Sequence, residues 1–102
     1  MKRDPIEVVR KALPQDELLC QIAEEASELA KAALKLRRAY NGTNPTPVTQ
    51  REAYEALLEE IADVNVCIIA LELDRGFNFV QVSKIMNEKL ERWAGRLEEA
   101  SK

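Results

Sequence analysis

Apolar residues recur at helical spacing in four stretches of this chain, separated by short segments of proline, glycine and asparagine. In the first stretch Asp4 stands where an N-cap belongs and Pro5 suits the opening turn. Glu7 completes a capping-box-like pattern, which predicts a short helix ending near Leu13-Pro14. A second helix is expected from Gln15 or Asp16 to about Tyr40, with Asn41-Gly42 as its stop. Neither proline of Asn44-Pro45-Thr46-Pro47 can be helix interior, so that segment reads as a loop. Thr49-Gln50-Arg51-Glu52 is a capping box that opens a third helix running to about Arg75, where Gly76 ends it. The fourth begins at about Asn78, with Gln81 three residues on, and reaches about Ala100, with Gly95 as its weak point.

The two long central helices share one cross-section. On the second, Ile22, Ala26, Leu29, Ala33 and Leu36 follow the spacing of a buried stripe, and Gln21, Glu25, Glu28 and Ala32 run beside it. On the third, Leu57, Ile61, Val64, Ile68 and Leu71 form the stripe, flanked by Ala56, Glu60, Asp63, Cys67 and Ala70. The fourth helix adds Val82, Met86, Leu90, Trp93 and Leu97. An antiparallel hairpin of the central helices buries one face only, leaving Ile68, Ile69, Leu73, Phe77 and Phe79 as residual apolar surface. The expected architecture is therefore an all-α antiparallel helical bundle, a single domain over 1–102, completed as a homodimer or homotetramer.

Composition changes this picture mainly by exclusion. A net charge of −3 without a dense Lys/Arg stripe argues against nucleic acid as a partner. No run approaches the roughly 18 uninterrupted apolar residues of a membrane span, and no signal-peptide pattern precedes the first helix, so no membrane partner and a cytoplasmic location are expected. Cys20 and Cys67 lie inside helical patterns with no CxxC neighbour and read as buried, reduced thiols. The chain has no histidine. That removes Ser-His and Cys-His nucleophile pairs, the usual zinc sites and Glu-x-x-His di-iron centres. Any chemistry falls to carboxylates and hard cations.

The carboxylates are arranged for it. Glu24-Glu25-Ala26-Ser27-Glu28-Leu29 is matched 35 positions later by Glu59-Glu60-Ile61-Ala62-Asp63-Val64. Taken alone, a Glu-x-x-Glu on a lysine-rich helix reads as a solvated face. Occurring twice in matching context, Glu25, Glu28, Glu60 and Asp63 converge, while Glu24 and Glu59 fall on the solvent side. Four converging carboxylates repel one another unless a cation sits between them, and Mg²⁺ is a hard cation that accepts carboxylate oxygens. The chemistry suggested is hydrolysis of a phosphate ester or phosphoanhydride. Lys84, Asn87, Lys89, Arg92 and Arg96 on the fourth helix offer donors for a polyphosphate, or pair with Glu88 and Glu91 as ordinary surface charges. Trp93 reads as a core or interface anchor.

Glu25-x-x-Glu28 followed by Glu60-x-x-Asp63 resembles the signature of the all-α nucleoside triphosphate pyrophosphohydrolases, a superfamily that includes MazG, the dimeric dUTPases and phosphoribosyl-ATP pyrophosphohydrolase. Asn87-Glu88-Lys89-x-x-Arg92 is similar to a basic segment on the helix after the second acidic pair, and the resemblance spans roughly residues 15 to 95. It implies that Glu25, Glu28, Glu60 and Asp63 are both metal ligands and catalytic groups, with Mg²⁺, or Mn²⁺ in its place, as cofactor. It also implies that Asn87, Lys89 and Arg92 bind substrate phosphates. The implied reaction converts a (d)NTP to (d)NMP and pyrophosphate, in nucleotide-pool housecleaning. Between Glu28 and Glu60 lie 31 residues, more than is usual in the family, and the Asn41–Thr49 loop accounts for the excess. No base-reading set stands out. Phosphoribosyl-ATP cleavage and a dUTPase- or dCTPase-like preference are the rival activities. A non-catalytic helical oligomerisation or regulatory module is the rival of another class.

Overall fold

Helix starts in this chain differ in how completely their capping side chains are engaged. The computed structural model describes residues 2–41, 43–44, 46–74 and 76–102 and places four helices: α1 (Pro5–Ala12), α2 (Gln15–Asn41), α3 (Gln50–Glu72) and α4 (Phe79–Ala100). Gly42, Pro45 and Arg75, expected at helix stops and in the loop, lie outside the described residues. At α3 the capping box is complete. Thr49 Oγ1 accepts from the Glu52 amide at 3.1 Å, and Glu52 Oε1 accepts from the Thr49 amide at 3.1 Å. The Thr49 amide first, and then the Thr49 hydroxyl, hold the Glu52 carboxyl below the ordinary glutamate range. At α1 the expected box is not formed, because Arg10 claims Glu7 through bonds of 3.2 and 2.9 Å and Asp4 makes no side-chain cap bond. Asn78 caps α4 by accepting from the Gln81 amide at 3.0 Å. α3 ends at Glu72, short of the expected Arg75, and the Asp74 carboxylate accepts from the Gly76 amide in the turn that follows.

α2 and α3 pack antiparallel along their length, closed at one end by the Gln50 amide donating to the Ala39 carbonyl at 3.2 Å. The seam between them keeps most of the stripe expected from hydrophobicity, with Ile22, Leu29, Leu36, Leu57, Val64, Ile68 and Leu71 covered. Ala26, Ala33 and Ile61 are exposed. The covered positions include Leu18, Ile22, Glu25, Leu29, Ala32 and Leu36 on α2, and Ala53, Leu57, Glu60, Val64, Cys67 and Leu71 on α3, with Ala56, Ile68 and Ala70 covered beside the second series. Each series steps by 4-3-4-3-4 residues, the spacing of a packed helix face, and each has an acid in third place. Glu25 and Glu60 thus occupy the seam itself, and Glu28 and Asp63, both exposed, flank it.

α1 folds back over the far end of α3, where Leu18, Ala70 and Leu71 form the best-buried cluster, with Ile6, Val9 and Ile22 against it. Phe77 and Phe79, expected as surface, also join this cluster and meet edge to face with centroids 6.5 Å apart. Cys67 is buried as expected; Cys20 is exposed, which corrects its reading as a core thiol.

α4 does not add its stripe to this core. It buries no residue and makes at most marginal contact with the other helices, and Met86, Leu90, Trp93 and Leu97 are each about 60 % exposed. The Cα radius of gyration is accordingly 17.7 Å, against about 13 Å for a compact chain of this length. None of the described helices is long and apolar enough to cross a membrane.

Candidate metal centre

The antiparallel seam brings the duplicated acids together. Glu25 and Glu60 face each other across it. Asp63, one turn along α3 from Glu60, completes a group in which one carboxylate oxygen from each residue lies within 4.8 Å of the other two. In an antiparallel pair, residues three positions after each seam acid emerge on the same side, so Glu28 and Asp63 flank the same edge. The side one residue round, carrying Ala26 and Ile61, is exposed, apolar and turned away from the acids. Glu24 and Glu59 are exposed, as expected.

Each carboxylate has a different set of partners. Glu25 Oε1 accepts from Gln21 Nε2 at 3.0 Å, and Glu28 lies 3.5 Å from the Lys31 ammonium in an exposed pair. Glu60 has no such help. Its Oε2 is covered from solvent and has no hydrogen-bond partner. Burial, reinforced by the negative charges of Asp63, Glu25, Glu28 and Glu59, pushes the Glu60 carboxyl above the ordinary glutamate range. Beneath the acids, burial first and then Glu25 and Asp63 push the Cys67 thiol up, which keeps it a protonated packing group and a poor nucleophile.

This donor set fits a hard divalent cation. All its atoms are carboxylate oxygens, the type Mg²⁺ and Mn²⁺ take, and the orphaned oxygen of Glu60 lacks only a positive partner. Glu25, Glu60 and Asp63 are brought within one ion's reach, with Glu28 beside them.

The expected phosphate-binding residues lie elsewhere in the chain. Lys89 and Arg92 line a separate shallow depression on α4 with Trp93 and Arg96, and Asn87 is exposed on the same helix. Among the described residues none of Lys84, Lys89, Arg92 and Arg96 forms an ion pair, even with Glu88 and Glu91 nearby.

Sequence reasoning did not identify what borders the acids on their other side. A cleft of about 260 Å³ opens beside Glu25 and Asp63, lined by Gln21 and by aliphatic side chains from α1, α2 and α3. The α1 contribution has no signature in the sequence, because it depends on how that helix folds back. Gln21 did carry one: it precedes Glu25 by four residues, the spacing at which an amide reaches a carboxylate. Compared with protein-family models, curated proteins and solved structures, the chain matches none.

Proposed function

We propose that the chain is a Mg²⁺-dependent nucleoside triphosphate pyrophosphohydrolase of MazG-like type, hydrolysing (d)NTP to (d)NMP and pyrophosphate. The observation that carries this reading is the seam position of Glu25 and Glu60, with an oxygen of Glu60 buried and unpartnered among carboxylates. A seam position held by Leu or Val would be more stable in the protein alone. Two opposed acids there make sense as a ligand pair held rigidly by the hairpin. Glu25, Glu28, Glu60 and Asp63 would hold the metal, and Mn²⁺ has the same oxygen preference. When bound, the ion supplies charge neutralisation of the phosphates and lowers the pKa of water at the site.

The protein's own part is to fix the geometry. Gln21 restrains Glu25 through its amide, and the helix pair fixes where the seam acids start. Asn87, Lys89 and Arg92 would bind the triphosphate. Within one chain they stand apart from the acids, so that role rests on an assembly of two or more copies. The exposed apolar stripes favour the assembly: Leu58, Ile61 and Ile69 on α3, and Leu90, Trp93 and Leu97 on α4. A homodimer or homotetramer working on the cytoplasmic nucleotide pool is the corresponding biological reading.

Incubation with the eight common (d)NTPs, dUTP and phosphoribosyl-ATP plus Mg²⁺ tests the activity. Release of pyrophosphate and a monophosphate from one or more of them is expected. Cleavage of phosphoribosyl-ATP alone would reassign the substrate, and no product from any would leave a helical oligomerisation module. The assembly has its own test. Ile61→Glu and Leu90→Glu each place a charge on an apolar stripe, and either should weaken self-association by about tenfold or more. Light scattering coupled to size exclusion reads that as a shift towards monomer, and an unchanged mass for both variants would contradict the assembly.

A further inference from the structure

The cleft beside the acids is chemically two-sided. Val9 from α1, Leu13 just after it, Leu18 from α2, and Val66 and Ala70 from α3 give it an aliphatic lining, while Glu25 and Asp63 stand at the same opening. Gln21 is the one uncharged polar side chain in the lining besides the Cys67 thiol. A carboxylate only accepts hydrogen bonds, so the amide bonded to Glu25 must present its Nε2, which leaves Oε1 as a spare acceptor. A purely anionic ligand gains nothing from these walls, and a purely apolar one is poorly served by the acids. The surroundings suit a molecule with a flat, mostly apolar body bearing an N–H donor, joined to a metal-bound anionic tail.

Resting on the metal-site reading above, we propose that this cleft seats the nucleobase of the substrate, with Gln21 Oε1 accepting from an N–H on its edge. At about 260 Å³ the cleft lies just below the 300–1,000 Å³ of typical small-molecule pockets, room for one heterocycle with sugar and phosphates outside. No aromatic side chain lines it, so selection works through shape and one acceptor, not through stacking. Val66 is the wall residue best placed to test this, since it is 53 % exposed and can be enlarged without disturbing the buried cluster.

The test compares Mg²⁺-supported hydrolysis of the preferred nucleoside triphosphate with that of inorganic tripolyphosphate, which has the tail and no base. Val66→Trp should lower kcat/KM for the nucleotide by about tenfold or more, chiefly through KM. The preference of nucleotide over tripolyphosphate should shrink by the same factor. Leu13→Trp fills the cleft from the α1 side and should do likewise, and thermal unfolding confirms that each variant is folded. Parallel losses on both substrates, or no loss on the nucleotide in either variant, would overturn the base-binding role while leaving the hydrolase reading intact. A wild-type protein that cleaves neither substrate would overturn the hydrolase reading itself.

Discussion

Glu60→Gln is expected to cut pyrophosphohydrolase activity by about 100-fold or more while raising the thermal midpoint of the metal-free protein. The two effects have one cause. In the metal-free state the Glu60 carboxylate is partly covered, has one oxygen without a partner and faces Glu25 and Asp63. Gln keeps the shape and removes the repelling charge, so the seam packs more favourably. The same charge is what a cation needs, so the gain in stability comes with a loss of ligand strength. The pH dependence follows from the raised carboxyl value. A folded state that holds its proton more tightly than the unfolded chain is most stable at low pH. It loses that advantage as pH rises from the ordinary glutamate range through the raised value. Metal binding competes with the same proton and therefore strengthens over that interval. Melting curves against pH, with and without Mg²⁺, should differ between the wild type and Glu60→Gln by contributions of opposite slope, since the substitution removes the Glu60 titration and leaves that of the other carboxylates. Near-native activity in the variant would remove Glu60 from the site.

Leu18→Ala is expected to destabilise the fold by about 2–5 kcal/mol, a large fraction of the roughly 5–15 kcal/mol of a typical domain. Leu18 is only 3 % exposed and is where α1, α2 and α3 meet, packed with Ala70 and Leu71 and bordered by Ile6, Val9, Phe77 and Phe79. Truncation leaves a hole that three helices would have to close together. It also removes part of the cleft lining, so activity should fall further than the folded fraction explains. Leu18→Met keeps most of the volume and should cost less than about 1.5 kcal/mol. Urea unfolding followed by circular dichroism measures both, and equal stabilities for the two variants would contradict the placement of α1 over the seam.

Much of the fold could be read directly from residues. The Thr49–Glu52 box, the Asn78 cap and Pro14 set three helix starts through local chemistry, which a sequence states openly. Of the four acids that the duplication marks, Glu25, Glu60 and Asp63 come together, while Glu28 is exposed and paired with Lys31. The expected stripe differs from the covered face at Ala26, Ala33 and Ile61, and Glu25 and Glu60 take seam positions beside it. A hydrophobicity pattern puts Ala26 and Ile61 inward and the acids beside them, because an unpaired carboxylate is disfavoured in a core. The 4-3-4-3-4 series with Glu25 and Glu60 in third place was present in both helices, and pairing them antiparallel selects it. Longer-range features had no local signal. Phe77 and Phe79 are covered only because the turn after α3 folds onto Leu18, and the cleft exists only because α1 turns back. The stripe on α4 was correctly read as apolar, yet nothing in its spacing says that it stays exposed beside the other three helices.

The claim that the seam acids form a metal centre is tested most directly by titrating the wild-type protein and Glu60→Gln with Mn²⁺ and following free ion by electron paramagnetic resonance. Saturable binding by the wild type at sub-millimolar metal, weakened by about tenfold or more in Glu60→Gln, is the predicted result. Absence of stoichiometric binding at millimolar Mn²⁺, or equal binding by both proteins, would contradict it.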